Sequence, residues 1–174
     1  MTNLISDAFI QAKELVMKAM GELVADGTFP AEPVPAFNTE IPADSKNGDV
    51  STNAAMVCAR PFRNNPRKIA EAIVSKIDLN GSYFARCEVA GPGFINFFYS
   101  PEWYATVVAA VLEQKEKYGE TDLGAGKSVL VEFVSANPTG PMHIGNARGG
   151  AIGDCLASVL EKAGYEVARE FYIN

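Results

Sequence analysis

The only histidine in the sequence, His143, sits where its chemistry would count. Ahead of it runs Val129-Leu130-Val131-Glu132-Phe133-Val134, a short apolar stretch rich in Val and Phe that reads as a buried strand. Then comes Ser135-Ala136-Asn137-Pro138-Thr139-Gly140-Pro141, which continues neither a strand nor a helix. A helix follows, with Ile152, Cys155, Leu156, Val159, Leu160 and Ala163 expected on its apolar face and Gly164 just past its end. A strand, a tight loop and a helix N-terminus make a ready anion site, because free backbone N–H groups and the helix dipole converge there. An imidazole at that spot can donate a hydrogen bond to a phosphate. A lone loop histidine is ordinarily only solvated; the strand and the Asn-Pro-Thr-Gly-Pro loop around this one argue for the phosphate.

Other phosphate motifs do not fit. Gly140 and Gly145 have the P-loop spacing, but Asn146-Ala147 stands where Lys-Ser/Thr is needed, and no GxGxxG occurs. Glu132 is the second telling residue. A carboxylate within an apolar run is costly to bury without a partner. Either it lies near the strand end or is satisfied by local amides, or a ligand supplies the partner. A guanidinium would do so in a bidentate, charge-assisted pair.

A second constellation lies upstream. Ser82–Val89 and Gly93–Tyr99 read as strands joined through Ala90-Gly91-Pro92-Gly93. Alternation puts Phe94, Asn96 and Phe98 on one face and Ile95, Phe97 and Tyr99 on the other, so the strand is expected to be covered on both sides. Asn96 breaks that apolar pattern. An aromatic able to stack on an unpaired base, beside an amide able to read its edge, is how proteins recognise single-stranded RNA; a core aromatic beside a satisfied amide is the other reading. Arg60, Arg63, Arg67 and Lys68 form the most basic stretch, with no carboxylate from Val50 to Ala70. It reads as a solvated helix rim or as an RNA-backbone patch.

The remaining elements position these groups. Residues 2–25 carry apolar positions at helical spacing and end at Gly27, ahead of a proline-rich loop. Ala36–Ile41 reads as an edge strand leading into the turn Ser45-Lys46-Asn47-Gly48-Asp49. Ala54–Ala59 reads as a helix capped by Ser51 or Thr52, and Pro66–Ile77 as another with proline in its first turn. Residues 101–117 form a further helix with Trp103, Val107, Ala110, Val111 and Gln114 along one side. The Gly-rich stretch Tyr118–Gly126 is the expected boundary between domains 1–120 and 121–174. The fold class is therefore an α+β N-terminal domain followed by the start of an α/β Rossmann-type nucleotide-binding domain.

Composition sets further bounds. The 174 residues are 48% hydrophobic and 21% charged, as in ordinary globular chains. A net charge of -6 argues against indiscriminate nucleic-acid binding, so any RNA contact must use a local patch. Three scattered cysteines, Cys58, Cys87 and Cys155, form neither a disulfide framework nor a zinc pattern, and no protein-bound metal is expected. With no signal peptide and no run near ~18 apolar residues, a cytoplasmic location without a membrane partner is expected.

The string SANPTGPMHIGNARGGAIGDCLASVLEKAGYEVAREFYIN resembles the first half of the nucleotide-binding domain of arginyl-tRNA synthetases, with His143-Ile144-Gly145-Asn146 at the HIGH signature of class I synthetases. The likeness runs from about Gly48 onward. It implies a ligase that activates L-arginine with ATP and transfers it to tRNA(Arg). Pro138, His143, Gly145 and Asn146 would meet ATP, with His143 and Asn146 catalytic and Mg2+ arriving with the nucleotide. Glu132 would take the arginine side chain, Asn137 its α-amino end, and Ser135 would assist. Phe94 and Asn96 would meet the D-loop of tRNA, because GPGFIN resembles the segment used there. Asn146 departs from the signature's usual second histidine, and a shorter, uncharged amide puts in doubt any role needing an imidazolium. The resemblance also implies that Glu166–Ile173 is only the second strand of a larger sheet. A piece of that kind is expected to be inactive alone and to self-associate through its open edge, with a monomeric full-length protein. A non-catalytic tRNA-binding module and an HxGH-type nucleotidylyltransferase are the alternatives. The latter carries its signature near the N-terminus after a Gly-Thr-Phe-Asp-Pro type turn, which is missing here.

Overall fold

A computed structural model describes residues 4–137 and 139–172. Pro138, residues 2 and 3 of the expected first helix and residue 173 of the expected last strand lie outside it. The chain divides into two compact units, Leu4–Glu113 and the segment from Gln114 onward.

In the first unit, helix α1 (Leu4–Ala25) buries Ala8, Ala12, Val16, Ala19, Met20 and Leu23, a stripe at helical spacing. Four strands follow: β1 (Thr39–Glu40), β2 (Val50–Thr52), β3 (Phe84–Ala90) and β4 (Phe94–Tyr99), in the antiparallel order β1-β2-β4-β3. Helices α2 (Ala54–Cys58) and α3 (Pro66–Lys76) connect β2 to β3. Val50, Ile95 and Phe97 join the buried helix residues, among them Ile69, Ala70 and Ile73, in one core.

Strand β2 was not expected. It is three residues long, too short to show alternation, yet it lies between β1 and β4 and carries the polar residues Ser51 and Thr52 at 4% and 0% exposure. Gly48 makes its approach possible: with φ 90°, a Cβ there would lie 2.6 Å from the Phe97 carbonyl. Because Ser51 and Thr52 belong to this strand, neither caps α2 as expected. Asn53 occupies the N-cap without a side-chain bond to the helix, its Oδ1 accepting the Asn38 N–H at 3.0 Å, and Thr52 Oγ1 accepts from the Ala54 N–H at 3.3 Å. Helix α3 is capped by Asn65, whose side chain accepts from the Arg67 N–H at 2.9 Å.

The expectation that β4 is covered on both faces holds in part: Ile95 and Phe97 face the core, and on the other face Asn96 is buried while Phe94 and Phe98 are half-buried. Phe98 is roofed by the guanidinium of Arg86 on β3, 3.4 Å from its ring centre, which covers part of that second face. After β4 comes α4 (Pro101–Gln114), continued by a 3-10 turn at Lys115–Lys117. Of its expected apolar side only Trp103 is buried, stacked on Tyr99 at 3.7 Å, while Val111 is exposed. Burial pushes the thiols of Cys58 and Cys87 up to about 11.

In the second unit, β5 (Ser128–Glu132) and β6 (Glu166–Glu170) are parallel, joined through helix α5 (Ile144–Lys162). The Gly-rich connector is not a free tether. Thr121, Gly124 and Gly126 donate their N–H groups to the carbonyls of Lys162, Ala163 and Gly164 at the end of α5. Gly164, at φ 85°, supplies the left-handed turn expected past the helix.

The buried face of α5 differs from expectation. Ile152, Cys155, Leu156 and Val159 are exposed, and the buried positions are Gly153 and Ala157. The reason is steric. A Cβ on Gly153 would sit 2.3 Å from Phe133 Cγ, and one on Gly150 would lie 3.2 Å from Val134 Cγ2, so the helix approaches through its smallest residues. Gly149 meets nothing within 4 Å. Arg169 of β6 secures the helix from the other end, donating to Asp154, Ser158 and Glu161, and holds the Glu161 carboxyl below its ordinary range.

Candidate functional site

The two constellations lie in different units and are built separately. In the second unit, His143 is the N-cap of α5, with φ -106° and ψ 173°. Its Nδ1 accepts the Gly145 N–H at 3.1 Å. Asn146 answers from the third helical position, where its Oδ1 accepts the His143 N–H at 3.1 Å, closing a capping box. An imidazole whose Nδ1 accepts carries its proton on Nε2. His143 is exposed, so that Nε2–H is the group it presents at the positive end of a 19-residue helix.

The same geometry accounts for two neighbours. A Cβ on Gly145 would stand 2.9 Å from His143 Cε1 and 3.0 Å from Nδ1, so glycine lets the ring turn back onto the helix. Asn146 is occupied in the cap, a task suited to a short amide, which gives the departure from the usual second histidine a structural reason.

The residues ahead of the helix cluster at the C-terminal end of β5. Glu132 is the last residue of the strand and is exposed, so the burial that made its carboxylate look costly is not present. Ser135 Oγ accepts the Tyr172 N–H at 2.9 Å, and the Phe133 N–H reaches the Glu170 carbonyl at 3.0 Å, so the loop is tied to the chain at and beyond β6. Asn137 is exposed on the same loop. Between Glu132 and Ser135 stands Val134 at φ 65°. A β-branched residue in the left-handed region costs on the order of 1–3 kcal/mol and is held there by its surroundings. Nothing in the sequence marks it, since valine is among the least expected residues for that conformation.

In the first unit, Phe94 and Asn96 line a cavity of about 290 Å³ together with Glu40, Pro42, Asn47, Ser51 and Gly91. That lies near the lower end of the ~300–1,000 Å³ of small-ligand sites. Asn96 is 2% exposed at its base, and Ser51 Oγ donates to Asn96 Oδ1 at 2.7 Å. Ser51 carries no sequence signal for this role, since a serine just ahead of a helical segment reads as its cap. The basic cluster is divided. Arg67 is engaged, with Nη1 donating to the Gly91 carbonyl at 3.1 Å and Nε pairing with Glu71, and so braces the β3–β4 turn. Gly93 fits beneath it, since a Cβ would lie 2.9 Å from the Pro66 carbonyl. Arg60 and Arg63 line a separate polar cavity beside Gly27 and Phe29, and Lys68 is exposed on α3. No group of three His, Cys, Asp or Glu placed to hold a metal ion occurs among the described residues, and none of their helices is long and apolar enough to cross a membrane.

The family profile described as the arginyl tRNA synthetase N terminal domain matches residues 5–99. The chain belongs to the arginyl-tRNA synthetase family. The profile of the class I (R) tRNA synthetase catalytic domain matches residues 107–174. The arginine–tRNA ligase of Acetivibrio thermocellus is 51% identical over 174 residues, and that of Caldanaerobacter subterraneus 49%. Each alignment takes in the whole chain but 31% of the relative, so the chain spans about three-tenths of the length of these curated relatives. Among solved structures, the arginyl-tRNA synthetase of Thermus thermophilus matches with a TM-score of 0.53 at 25% identity, over 95% of this chain and 25% of that one. The enzyme from Plasmodium falciparum, at 20% identity and a TM-score of 0.61, supports the fold alone. The α+β unit followed by the start of a class I catalytic domain is thus the family's architecture.

Proposed function

We propose that this chain is the N-terminal part of an arginine–tRNA ligase and that it contributes half of the amino-acid activation site and a tRNA contact. The carrying observation is the tie of His143 Nδ1 to the Gly145 N–H at the start of α5, which in an exposed ring leaves Nε2–H as the donor. In the reaction, the arginine carboxylate attacks the α-phosphate of ATP, taken as its magnesium complex. Pyrophosphate leaves with the electrons of the broken P–O bond, giving arginyl-adenylate, and a ribose hydroxyl of the tRNA then displaces AMP. Little covalent work falls to the protein, so donors placed on the developing phosphate charge supply much of the rate. The Nε2–H of His143 is such a donor, set at the positive end of α5, whose Gly145, Asn146 and Ala147 N–H groups are taken by His143 itself. Gly145 and Asn146 belong to the same nucleotide site, where Asn146 acts by holding His143; the family resemblance assigns Pro138 to ATP as well.

Glu132, exposed at the end of β5, is free to form a bidentate pair with the guanidinium of arginine, with Asn137 and Ser135 on the following loop for its α-amino end. On the first unit, Phe94 and Asn96 take an unpaired base of the tRNA D-loop, and Arg60, Arg63 and Lys68 face its backbone. We place the protein in the cytoplasm. Amino-acid-dependent ATP–pyrophosphate exchange by a protein carrying this chain at its relatives' full length, with tRNA(Arg) present, tests the activation half. Exchange with arginine only is expected. Exchange with another amino acid, or with none, would contradict the reading.

A further inference from the structure

The cross-strand register places Glu40, Ser51, Asn96 and Glu88 in one row across the sheet, with Ser51 directly opposite Asn96. Both central side chains are nearly inaccessible, at 4% and 2%, yet both line the 290 Å³ cavity beside Phe94. A carboxamide in such a place has two faces of opposite character, an acceptor oxygen and a donor NH2, related by a half-turn about its last torsion. Which face meets a ligand decides what the cavity can recognise. Ser51 Oγ lies 2.7 Å from Asn96 Oδ1, and an oxygen so close to an acceptor must be donating its proton. That bond fixes the oxygen end of the carboxamide on Ser51 and leaves the NH2 as the donor Asn96 has to offer.

We propose that Ser51 is a positioning residue that locks the Asn96 carboxamide with its NH2 toward the cavity, so that the cavity offers a donor to an acceptor on the edge of an unpaired nucleobase. This rests on the reading of the β4 face as an RNA contact. Ser51 holds its own position firmly, because its strand lies inside the sheet between β1 and β4. Phe94 supplies the stacking wall, and the turn that carries it is braced by Arg67 through the Gly91 carbonyl. Ser51 therefore acts on recognition through Asn96, without needing to touch the base.

A double-mutant cycle tests this. The probe is a hairpin transcript reproducing the D-arm of an arginine tRNA, and its Kd is measured for the protein and for Ser51→Ala, Ser51→Thr, Asn96→Ala, Ser51→Ala/Asn96→Ala and Phe94→Ala. Losing the hydroxyl lets the amide turn, and binding weakens about three- to tenfold, the size of one hydrogen bond. Ser51→Thr keeps the hydroxyl and is expected to restore near-normal binding. On the Asn96→Ala background the effect of Ser51→Ala is expected to vanish, because the group it orients is gone. A Ser51→Ala loss that persists in full on that background would show a direct or purely structural role and overturn the proposal. So would normal binding by Ser51→Ala. If Asn96→Ala and Phe94→Ala also bind normally, it is the RNA reading of this face that has failed, and the proposal falls with it.

Discussion

His143 carries two tasks on one ring, and the two can be separated by substitution. Nδ1 caps α5 by accepting the Gly145 N–H, while Nε2–H is left for phosphate. His143→Ala removes both and is expected to lower the stability of the second unit by about 1 kcal/mol, the usual cost of a lost N-cap. His143→Asn restores a capping side chain, but its shorter amide places no donor where the imidazole Nε2–H stands. Its stability should stay within a few tenths of a kcal/mol of the starting protein, while activation falls about 10²–10³-fold, as when a preorganised donor is removed. Urea unfolding alongside single-turnover adenylate formation measures both effects. The place of His143 directly ahead of a helix was legible, because the proline-glycine loop before it and the apolar spacing after it mark the boundary. The cap was not, since it depends on the ring turning back over a residue that lacks a Cβ. Asn146 read only as a departure from a signature, and its partner, the His143 N–H, explains it. For Glu132 the apolar run suggested burial, whereas the strand stops at that residue and leaves it exposed.

Elements were legible in proportion to their length. Helices α1 and α3 and strands β3 and β4 lie close to where periodicity and turn residues put them, because each spans enough residues to show a pattern. Strand β2 shows none. Its three residues are buried on the strength of their neighbours rather than their own hydrophobicity, and with it went Ser51, the residue that orients Asn96. The face of α5 was misplaced for a related reason. The apolar stripe was taken from the large residues, whereas contact with the sheet runs through Gly150, Gly153 and Ala157. Close approach favours the smallest side chains, and hydrophobicity alone does not report it. Gly153→Ala is therefore expected to cost about 1–3 kcal/mol, since the added methyl meets the Phe133 ring with little room to move. Gly149→Ala, with open space around it, should be neutral or slightly stabilising through helix propensity. Thermal unfolding of the two variants side by side distinguishes this packing from a general intolerance of the helix.

For the whole molecule, function is divided between two compact units that each carry part of one proposed reaction. The first offers a half-open sheet face with an aromatic, a locked amide and a braced turn; the second offers a strand end, a strained loop and a capped helix N-terminus. His143 is the one histidine of the sequence, so activation should depend on this one ring. The direct test is charging of total tRNA with each of the twenty amino acids, by a protein carrying this chain at its relatives' full length and by its His143→Asn variant. Charging with arginine alone, reduced about 10²–10³-fold in the variant, is the predicted result. Charging by the variant at the normal rate, or with an amino acid other than arginine, would contradict the account.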